Sequence, residues 1–180
     1  VNNTHTVLFH AIAGGVGLIA CQWLKTLGAK VIGTAGSEEK AVLAQNHGCD
    51  EVILYKNENF VDRVKSITNN KGVDVVYDGV GKDTAIAGLD CLKPLGTMVV
   101  FGNSSGNCPP IEPGLLATKG SLFFTRPTLM TYVAKRQDLM QSASKVFSML
   151  SDKKITLNIN DSYNLSDVIA AHNDLESRKT

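Results

Sequence analysis

A glycine-rich stretch near the start of the sequence has the residue types that could hold a phosphate. Residues 8–18 read LFHAIAGGVGL, so an apolar run typical of a β-strand is followed by Gly14, Gly15 and Gly17 and by a helical pattern. Free amide N–H groups and the helix dipole favour an anion at such a junction. Gly14 and Gly15 let the main chain turn tightly and approach a pyrophosphate, and Gly17 lets the helix pack closely on the sheet. The stretch therefore predicts a phosphate-binding loop.

The spacing of these glycines matches the dinucleotide fingerprint Gly-x-Gly-x-x-Gly only in part. Gly14 and Gly17 fit its second and third glycines, whereas Ile12 stands at the first. The position of the stretch, after a strand and before a helix, is the one that the fingerprint requires. The pattern favours dinucleotide binding, and the alternative is a glycine-rich turn that serves packing alone.

The end of the next strand indicates which dinucleotide would bind. Residues 31–40 read VIGTAGSEEK, without the acidic residue that NAD-binding domains use to bind the ribose 2′-hydroxyl. The Ser37 hydroxyl could donate to a 2′-phosphate, and Lys40, one helical turn further on, could bring an ammonium group to it. These residues predict that the bound dinucleotide is NADPH. The alternative is that Ser37 is a simple helix N-cap and Lys40 a surface charge, and Glu38 leaves NAD possible.

The elements that must position these residues alternate between strand and helix. An apolar helical stripe follows the first strand, and Gly28 is placed to end that helix. Ser37 can begin a second helix that ends near Gly48, and residues 58–68 and 82–92 have helical patterns. The stripe consists of Val16, Ile19, Ala20, Trp23, Leu24 and Leu27, and the β-rich runs are 7–9, 30–33, 52–54, 74–77, 97–101 and 122–125. This alternation predicts an α/β fold of Rossmann type, a doubly wound parallel six-stranded sheet with helices on both faces.

Length and charge limit the possible partners. The chain has 180 residues, enough for one domain, and its 18 basic and 17 acidic residues are nearly balanced. No basic patch indicates nucleic acid, and no apolar stretch approaches the roughly 20 residues that a membrane span needs. We therefore expect a small-molecule partner and a cytoplasmic protein. The four cysteines lack metal-ligand spacing and are expected to be reduced, so no metal is predicted.

Five motifs in this order resemble one known family. They are AGGVGLIACQW at 13–23, YDGVG at 77–81, FGNSSG at 101–106, LFFTRP at 122–127 and HNDLESR at 172–178. Together they are similar to the nucleotide-binding domain of zeta-crystallin-type quinone oxidoreductases, zinc-independent members of the medium-chain dehydrogenase/reductase superfamily. In that family an Ala-x-x-Gly-Gly-Val-Gly loop replaces the triple-glycine fingerprint, and residues 11–17 match it. The resemblance implies NADPH-dependent reduction of quinones or other α,β-unsaturated carbonyl compounds.

The resemblance also implies which residues contact the cofactor. The pyrophosphate would lie on Gly14, Gly15, Val16 and Gly17, and the 2′-phosphate near Ser37, Lys40 and Tyr55. Gly79 would lie under the adenosine and ribose, and the nicotinamide half beside Phe101, Gly102, Asn103, Ser104 and Ser105. Main-chain groups of Phe124 and Thr125 would face the carboxamide. As alternatives, Tyr55 could be a plain strand-end residue, Gly79 a turn and Phe124 a core residue.

No catalytic residue is predicted within this sequence. His10 and His172 are more typical of packing or surface histidines than of general acids. Members of the family begin with a GroES-like catalytic domain, whereas this sequence starts at Val1, almost at the first strand, and stops at SRKT. We therefore expect residues 1–180 to be an NADPH-binding domain that is inactive without its catalytic domain.

Three functional classes remain open. The leading one is the cofactor domain of an NADPH-dependent quinone or enone reductase. The second is the enoyl-reductase module of a polyketide or fatty-acid synthase, which flanking carrier or ketoreductase sequence would identify. The third is a non-redox module, such as an RNA-associated protein or an S-adenosylmethionine-dependent methyltransferase. A methyltransferase would be expected to carry an acidic residue at the end of the second strand, and none stands there.

The last predicted strand, at 122–125, leads us to expect a homodimer. In the strand order 3-2-1-4-5-6 it is an outer strand, and an apolar edge strand is prone to pair with another chain. The resembling family commonly joins two such strands antiparallel across a two-fold axis, and Pro127 would end that pairing. The alternative is a monomer whose edge is covered by residues 109–119 or by the terminal helix.

Overall fold

The strands form one parallel sheet. The computed structural model describes residues 1–157, 159 and 161–177, so the last residue of the HNDLESR motif and the end of SRKT lie outside the described residues. The strands are β1 (Thr6–Phe9), β2 (Lys30–Ala35), β3 (Glu51–Leu54), β4 (Val73–Asp78), β5 (Leu92–Val100) and β6 (Phe123–Thr125). Their order is β3-β2-β1-β4-β5-β6, with every neighbouring pair parallel. The predicted Rossmann-type α/β fold and its strand order are confirmed.

The helices connect the strands in a crossover arrangement. They are α1 (Gly15–Thr26), α2 (Glu38–Asn46), α3 (Phe60–Ile67), α4 (Ala85–Gly88), α5 (Pro113–Thr118), α6 (Leu129–Tyr132), α7 (Arg136–Ser151) and α8 (Val168–Glu176), with 3₁₀ turns at Leu89–Cys91 and Leu165–Asp167. α7 was not predicted, although Leu139, Val146 and Leu150 recur at helical spacing. No helix within the described ranges is long and apolar enough to cross a membrane.

Apolar side chains cover both faces of the sheet. Leu8 of β1 packs with Ile32, Val76 and Met98 in one buried cluster, which includes Val64 of α3. The neighbours of Leu8 in β1 point the other way and join a second cluster with residues of α1. Strands that are buried on both faces read as continuous apolar runs, which is why these strands could be recognised in the sequence.

The ends of the first two helices follow their capping residues. Gly28 has φ of +78° and its N–H donates to the Lys25 carbonyl, so it ends α1 in the left-handed conformation that favours glycine. Gly48 has φ of +95° after α2. Ser37 is the N-cap of α2, where its side chain accepts the Lys40 N–H. These three predictions from the sequence are confirmed.

The helix predicted at 82–92 is much shorter in the structure. α4 begins only at Ala85, because the Lys82 N–H donates to the Gly106 carbonyl and the Asp83 N–H donates to Ser105 Oγ. These contacts hold the preceding residues in a turn against a distant loop. The strand bounds also differ. β5 begins at Leu92, five residues before the predicted start at 97 and at the end of the predicted helix, and it ends at Val100, one residue before Phe101. β6 begins one residue after Leu122.

Only part of the predicted apolar stripe of α1 is buried. Leu24 is buried, but Val16 is 64% exposed and Leu27 is also exposed. The stripe instead lines an open apolar groove of about 440 Å³, which we call the α1 groove. Its wall consists of Val1, Phe9, Val16, Ile19, Ala20, Trp23, Leu24, Leu27 and Tyr77. The buried side chains of α1 are those of Leu18, Cys21 and Leu24.

Candidate functional site

The loops with the predicted site residues meet at one edge of the sheet. All six strands are parallel, so their carboxyl ends lie together, and the loops after β1, β2, β4 and β5 leave from that edge. Open α/β sheets bind ligands in the crevice at this edge, beside the point where the strand order reverses. Here the order reverses between β1 and β4. The α1 groove is lined mainly by side chains of α1 and shares Val16 with the glycine loop at this edge.

The start of α1 is open toward the crevice. Gly14 is the N-cap, no side chain caps the helix, and its first turn has no acidic residue, so the amide groups of that turn remain available to an anion. A Cβ built on Gly15 would have no neighbour within 4 Å, and Val16 is exposed. The pyrophosphate cradle predicted for residues 14–17 is therefore sterically possible.

Gly17 has a different role from Gly15. A Cβ on Gly17 would lie 2.4 Å from the Ile12 carbonyl oxygen and 2.6 Å from the Ala11 carbonyl oxygen. The glycine therefore permits close contact between α1 and the loop before it, whereas close packing of the helix on the sheet was expected.

The sharp turn after β1 is not made by the glycines. Gly14 has an ordinary φ of −76°, whereas Ala11 has φ of +54°. Thr34 of β2 supports this strained residue, because its Oγ1 accepts the Ala11 N–H at 3.2 Å and its carbonyl accepts the Ile12 N–H at 3.1 Å. The expectation that Gly14 and Gly15 make the tight turn is thus wrong, since hydrogen bonds from the neighbouring strand hold Ala11 in the left-handed region.

Ile12, the residue at the first fingerprint position, is completely buried. Its side chain occupies the space above Gly33 of β2, where a Cβ would lie 2.4 Å from Ile12 Cγ2. A glycine in β2 thus accommodates the isoleucine in the loop, which explains why the fingerprint is incomplete here.

The end of β2 brings together the residues predicted for a 2′-phosphate. A Cβ on Gly36 would lie 2.7 Å from the Tyr55 hydroxyl oxygen, so the tyrosine lies directly over the main chain beside Ser37. Ser37 Oγ accepts the Lys40 N–H at 3.4 Å, which leaves its hydroxyl proton free to donate. Within the described part of the chain, no carboxylate lies within 4 Å of the Lys40 ammonium group. The N-cap role of Ser37 and a phosphate contact are therefore compatible.

The loops after β4 and β5 contact one another closely. A Cβ on Gly102 would lie 2.5 Å from the Gly79 carbonyl oxygen, and one on Gly79 would lie 3.0 Å from the Phe101 ring. Asn103 and Ser104 are exposed at the tip of the second loop, where a ligand could reach them. Their contact with nicotinamide stays a prediction.

Two other predicted residues have structural contacts of their own. The Ser105 hydroxyl donates to the Val80 carbonyl at 2.9 Å and accepts the Asp83 N–H at 3.1 Å. Phe124 packs against the core cluster of Leu8, whereas Thr125 is exposed at the end of β6. The side chains of Ser105 and Phe124 thus serve the fold, and any cofactor contact there would involve main-chain groups.

Asp78, the last residue of β4, was missed in the sequence. It is completely buried, and its Oδ1 accepts the N–H groups of Val80 and Gly81 at 2.7 and 3.1 Å. Its Oδ2 accepts the Thr84 hydroxyl at 2.8 Å. The signal was an acidic residue at the end of an apolar strand directly before Gly-x-Gly, where a buried carboxylate can accept the N–H groups of the turn.

His10 at the end of β1 is also buried, and its Nδ1 lies 3.2 Å from Thr34 Oγ1. Nε2 has no hydrogen-bond partner in the described residues, and the ring meets Phe60 edge-on at 4.9 Å. Burial lowers the pKa of His10 from 6.5 to about 4, and the attraction of Asp78 offsets this only in part. The imidazole is therefore neutral near pH 7.

Because the pKa of His10 is lowered, we expect the folded protein to lose stability in mildly acidic solution. Between pH 6.5 and about 4 the unfolded chain binds a proton at residue 10 that the folded chain does not, so the free energy of unfolding falls as pH decreases through this window. Above pH 6.5 the residue contributes no pH dependence. Denaturant unfolding at several pH values should show a shallower decline for His10→Gln than for the wild type, and parallel declines would contradict the assignment.

The strand order and the helix connections define a Rossmann-type α/β domain. The chain belongs to the zinc-binding dehydrogenase family, whose profile matches residues 15–148. It is 51% identical over 175 residues to a quinone oxidoreductase of Salmonella typhimurium, covering 96% of this chain and 54% of that protein. It is 41% identical to a 2-haloacrylate reductase of a Burkholderia species, and the match covers 97% of this chain and 53% of that protein. The predicted resemblance to quinone oxidoreductases is confirmed.

Solved structures agree with this assignment. An Escherichia coli quinone oxidoreductase complexed with NADPH superposes with a TM-score of 0.95 at 47% identity, over all of this chain and 56% of that one. The enoyl reductase CurK, at 23% identity and a TM-score of 0.85, shows the shared fold alone. The chain thus spans about half the length of the relatives it matches.

The zinc in the family description does not fit the described residues. No group of three or more His, Cys, Asp or Glu side chains in those residues could hold a metal ion. Cys91 lies in a different core cluster from Cys21 and Cys49, and burial raises the pKa of the Cys91 thiol to about 12. A protonated thiol is a poor zinc ligand. Zinc independence of the whole protein stays a prediction.

Proposed function

We propose that residues 1–180 form the NADPH-binding domain of an oxidoreductase that reduces quinones or other α,β-unsaturated carbonyl compounds. The observation that carries the proposal is the sheet edge, where α1 starts without a side-chain cap and where β2 leads to Ser37 and Lys40 with no acidic residue between Ala35 and Ser37. The NADPH in the E. coli relative and the reductase activities named for the relatives support it.

The residues of the chain would bind and orient the cofactor. Main-chain groups of residues 14–17 would hold the pyrophosphate, and Ser37, Lys40 and Tyr55 the 2′-phosphate. Gly79 would leave space for the adenosine half, residues 101–105 would flank the nicotinamide, and main-chain groups of Phe124 and Thr125 would face the carboxamide. Bound NADPH would supply the hydride. Since the chain spans about half the length of its relatives, we propose that the rest of the substrate pocket lies outside these residues.

A panel of acceptors tests the activity. The full-length protein should oxidise NADPH faster than NADH with 1,4-benzoquinone or a simple enone as acceptor. NADPH binding without turnover of any quinone or enone would contradict the proposed reaction. Turnover restricted to enoyl thioesters would favour the enoyl-reductase module, and binding of S-adenosylmethionine in place of NADPH would favour the non-redox class.

Lys40→Ala tests the contact with the 2′-phosphate. We expect the variant to bind NADPH about tenfold more weakly, roughly 1.5 kcal/mol, because it loses a charge-assisted hydrogen bond, and to bind NADH as before. Lys30, exposed at the opposite end of β2, provides the control variant Lys30→Ala. Dissociation constants from isothermal titration calorimetry measure the effect, and an equal loss for both cofactors would contradict the contact.

We further propose a cytoplasmic homodimer joined through β6. The four free thiols are consistent with a reducing compartment. β6 is one of the two edge strands of the sheet, and Phe123 is 60% exposed on it. An exposed apolar edge strand is prone to pair with a second copy.

The oligomeric state of Phe123→Lys tests this interface. A charge on the edge strand should favour the monomer, while Val42→Lys, which changes an exposed apolar residue of α2, should leave the dimer intact. Analytical ultracentrifugation at micromolar concentration measures both variants. A dimer that persists in Phe123→Lys would place the interface elsewhere.

A further inference from the structure

We propose that Asp78 and Thr84 are positioning residues that set the affinity for the nicotinamide half of the cofactor. They act through the segment Gly79–Thr84 and the loop Phe101–Gly106, which they join into one unit that we call the Asp78 latch. The proposal rests on the NADPH-binding function proposed above.

The first part of the latch is the buried carboxylate. Its two oxygens accept three hydrogen bonds, from the N–H groups of Val80 and Gly81 and from the Thr84 hydroxyl, at 2.7 to 3.1 Å. A buried carboxylate is costly unless such donors satisfy it, and each donor bound to a charged group is held more firmly than in a neutral pair. The carboxylate thereby fixes the turn that follows β4.

The second part is a set of main-chain bonds between the turn and the loop after β5. The Asp78 carbonyl accepts the Phe101 N–H at 2.8 Å, and the Gly79 carbonyl accepts the Ser104 N–H at 3.2 Å. The Val80 carbonyl accepts both the N–H and the hydroxyl of Ser105, each at 2.9 Å. Because the carboxylate fixes the N–H side of the turn, its carbonyls point at the loop.

The latch also leaves no free space between its two segments. A Cβ on Gly81 would lie 2.5 Å from the Gly106 carbonyl oxygen, and Gly81 has φ of +91°. The turn therefore holds the exposed tip at Asn103 and Ser104 in place through these contacts. Displacement of the turn would displace the tip, and a loop that must be ordered during binding lowers affinity.

This arrangement predicts different effects on two ligands. NADPH would contact both the phosphate-binding end of the site and the loop tip, whereas adenosine 2′,5′-bisphosphate has no nicotinamide to reach that tip. Adenosine 2′,5′-bisphosphate would still lie beside Gly79, which belongs to the latch. Weakening the latch should therefore lower the affinity for NADPH much more than the affinity for adenosine 2′,5′-bisphosphate. A general loss of fold would lower both affinities.

Substitutions of Thr84 provide the test. Thr84→Val removes the hydroxyl and keeps the side-chain shape, Thr84→Ser restores the hydroxyl, and Thr26→Val is the control for a threonine whose hydroxyl bonds only within the end of α1. We expect Thr84→Val to bind NADPH roughly five- to tenfold more weakly, with adenosine 2′,5′-bisphosphate within about twofold of the wild type. Thr84→Ser should recover NADPH affinity, and Asp78→Asn should show the same ligand selectivity if it folds.

Calorimetric titration measures the affinity of each variant for both ligands, and thermal unfolding checks that each variant is folded. An equal loss for both ligands, no loss in Thr84→Val, or no recovery in Thr84→Ser would overturn the latch while leaving the proposed function intact. A wild-type protein that fails to bind NADPH would overturn the proposed function and the latch with it.

Discussion

Replacing Ile12 by alanine is expected to lower the free energy of unfolding by about 2 to 5 kcal/mol, the range for removing a large buried aliphatic side chain. Ile12 is completely buried between the glycine loop and β2, and its side chain covers Gly33. The loss should appear as a lower midpoint in denaturant unfolding. Ile12→Val provides a graded comparison, with an expected loss of about 0.5 to 1.5 kcal/mol.

The contact with Gly33 makes this prediction more specific. Gly33→Ala alone would press a Cβ against Ile12, at an expected cost of about 1 to 3 kcal/mol. In the double variant Ile12→Ala/Gly33→Ala, the new methyl group enters space that the isoleucine has left. The combined loss should therefore be smaller than the sum of the single losses. Simple additivity would contradict the pairing of these two residues.

Gly17→Ala is expected to be the more damaging of two alanine substitutions in the glycine loop. Its Cβ would meet the carbonyl oxygens of Ile12 and Ala11 at 2.4 and 2.6 Å, and these main-chain atoms cannot rotate away as a side chain could. We expect a loss of up to about 3 kcal/mol in the free energy of unfolding, and weaker NADPH binding because α1 must move away from the loop. Thermal unfolding and calorimetric titration measure the two effects.

Gly15→Ala is the matched control for Gly17→Ala. Its Cβ would enter open space at the first position of α1, so stability should be unchanged or slightly higher, since alanine favours helix over glycine by about 1 kcal/mol. NADPH affinity should nevertheless fall, because the methyl group would stand where the main chain is proposed to approach the pyrophosphate. Equal destabilisation by both substitutions would contradict the different roles of the two glycines.

The fold could be predicted because its signals are local. The strand of 30–33 is a short apolar run, Ser37 stands before the next helix, and Gly28 and Gly48 stand where helices end. Each signal depends on a few neighbouring residues, and the parallel order follows from their alternation. α4 was predicted too long because the residues before it bond to a loop more than twenty positions away.

The site could be predicted less completely, because part of its geometry depends on long-range contacts. The glycine loop and the residues near 37–40 were recognisable from spacing alone. The support of Ala11 by Thr34 joins residues 23 positions apart. The two loops joined by Asp78 are likewise distant in sequence. The sequence around Asp78 indicates a carboxylate that could accept the N–H groups of the following turn, but it does not show that this turn bonds to the loop after β5.

The α1 groove gives the protein an optical property. Trp23 is the single tryptophan of the chain and lines that groove, six residues after Gly17 and therefore about 9 Å further along the same helix. Its emission will shift to shorter wavelength when an apolar group fills the groove and excludes water from the indole. Reduced nicotinamide absorbs where tryptophan emits, so a dinucleotide bound at the start of the helix will quench Trp23 by energy transfer. The wavelength and the intensity of the emission of one indole thus report on the groove and on the nucleotide crevice.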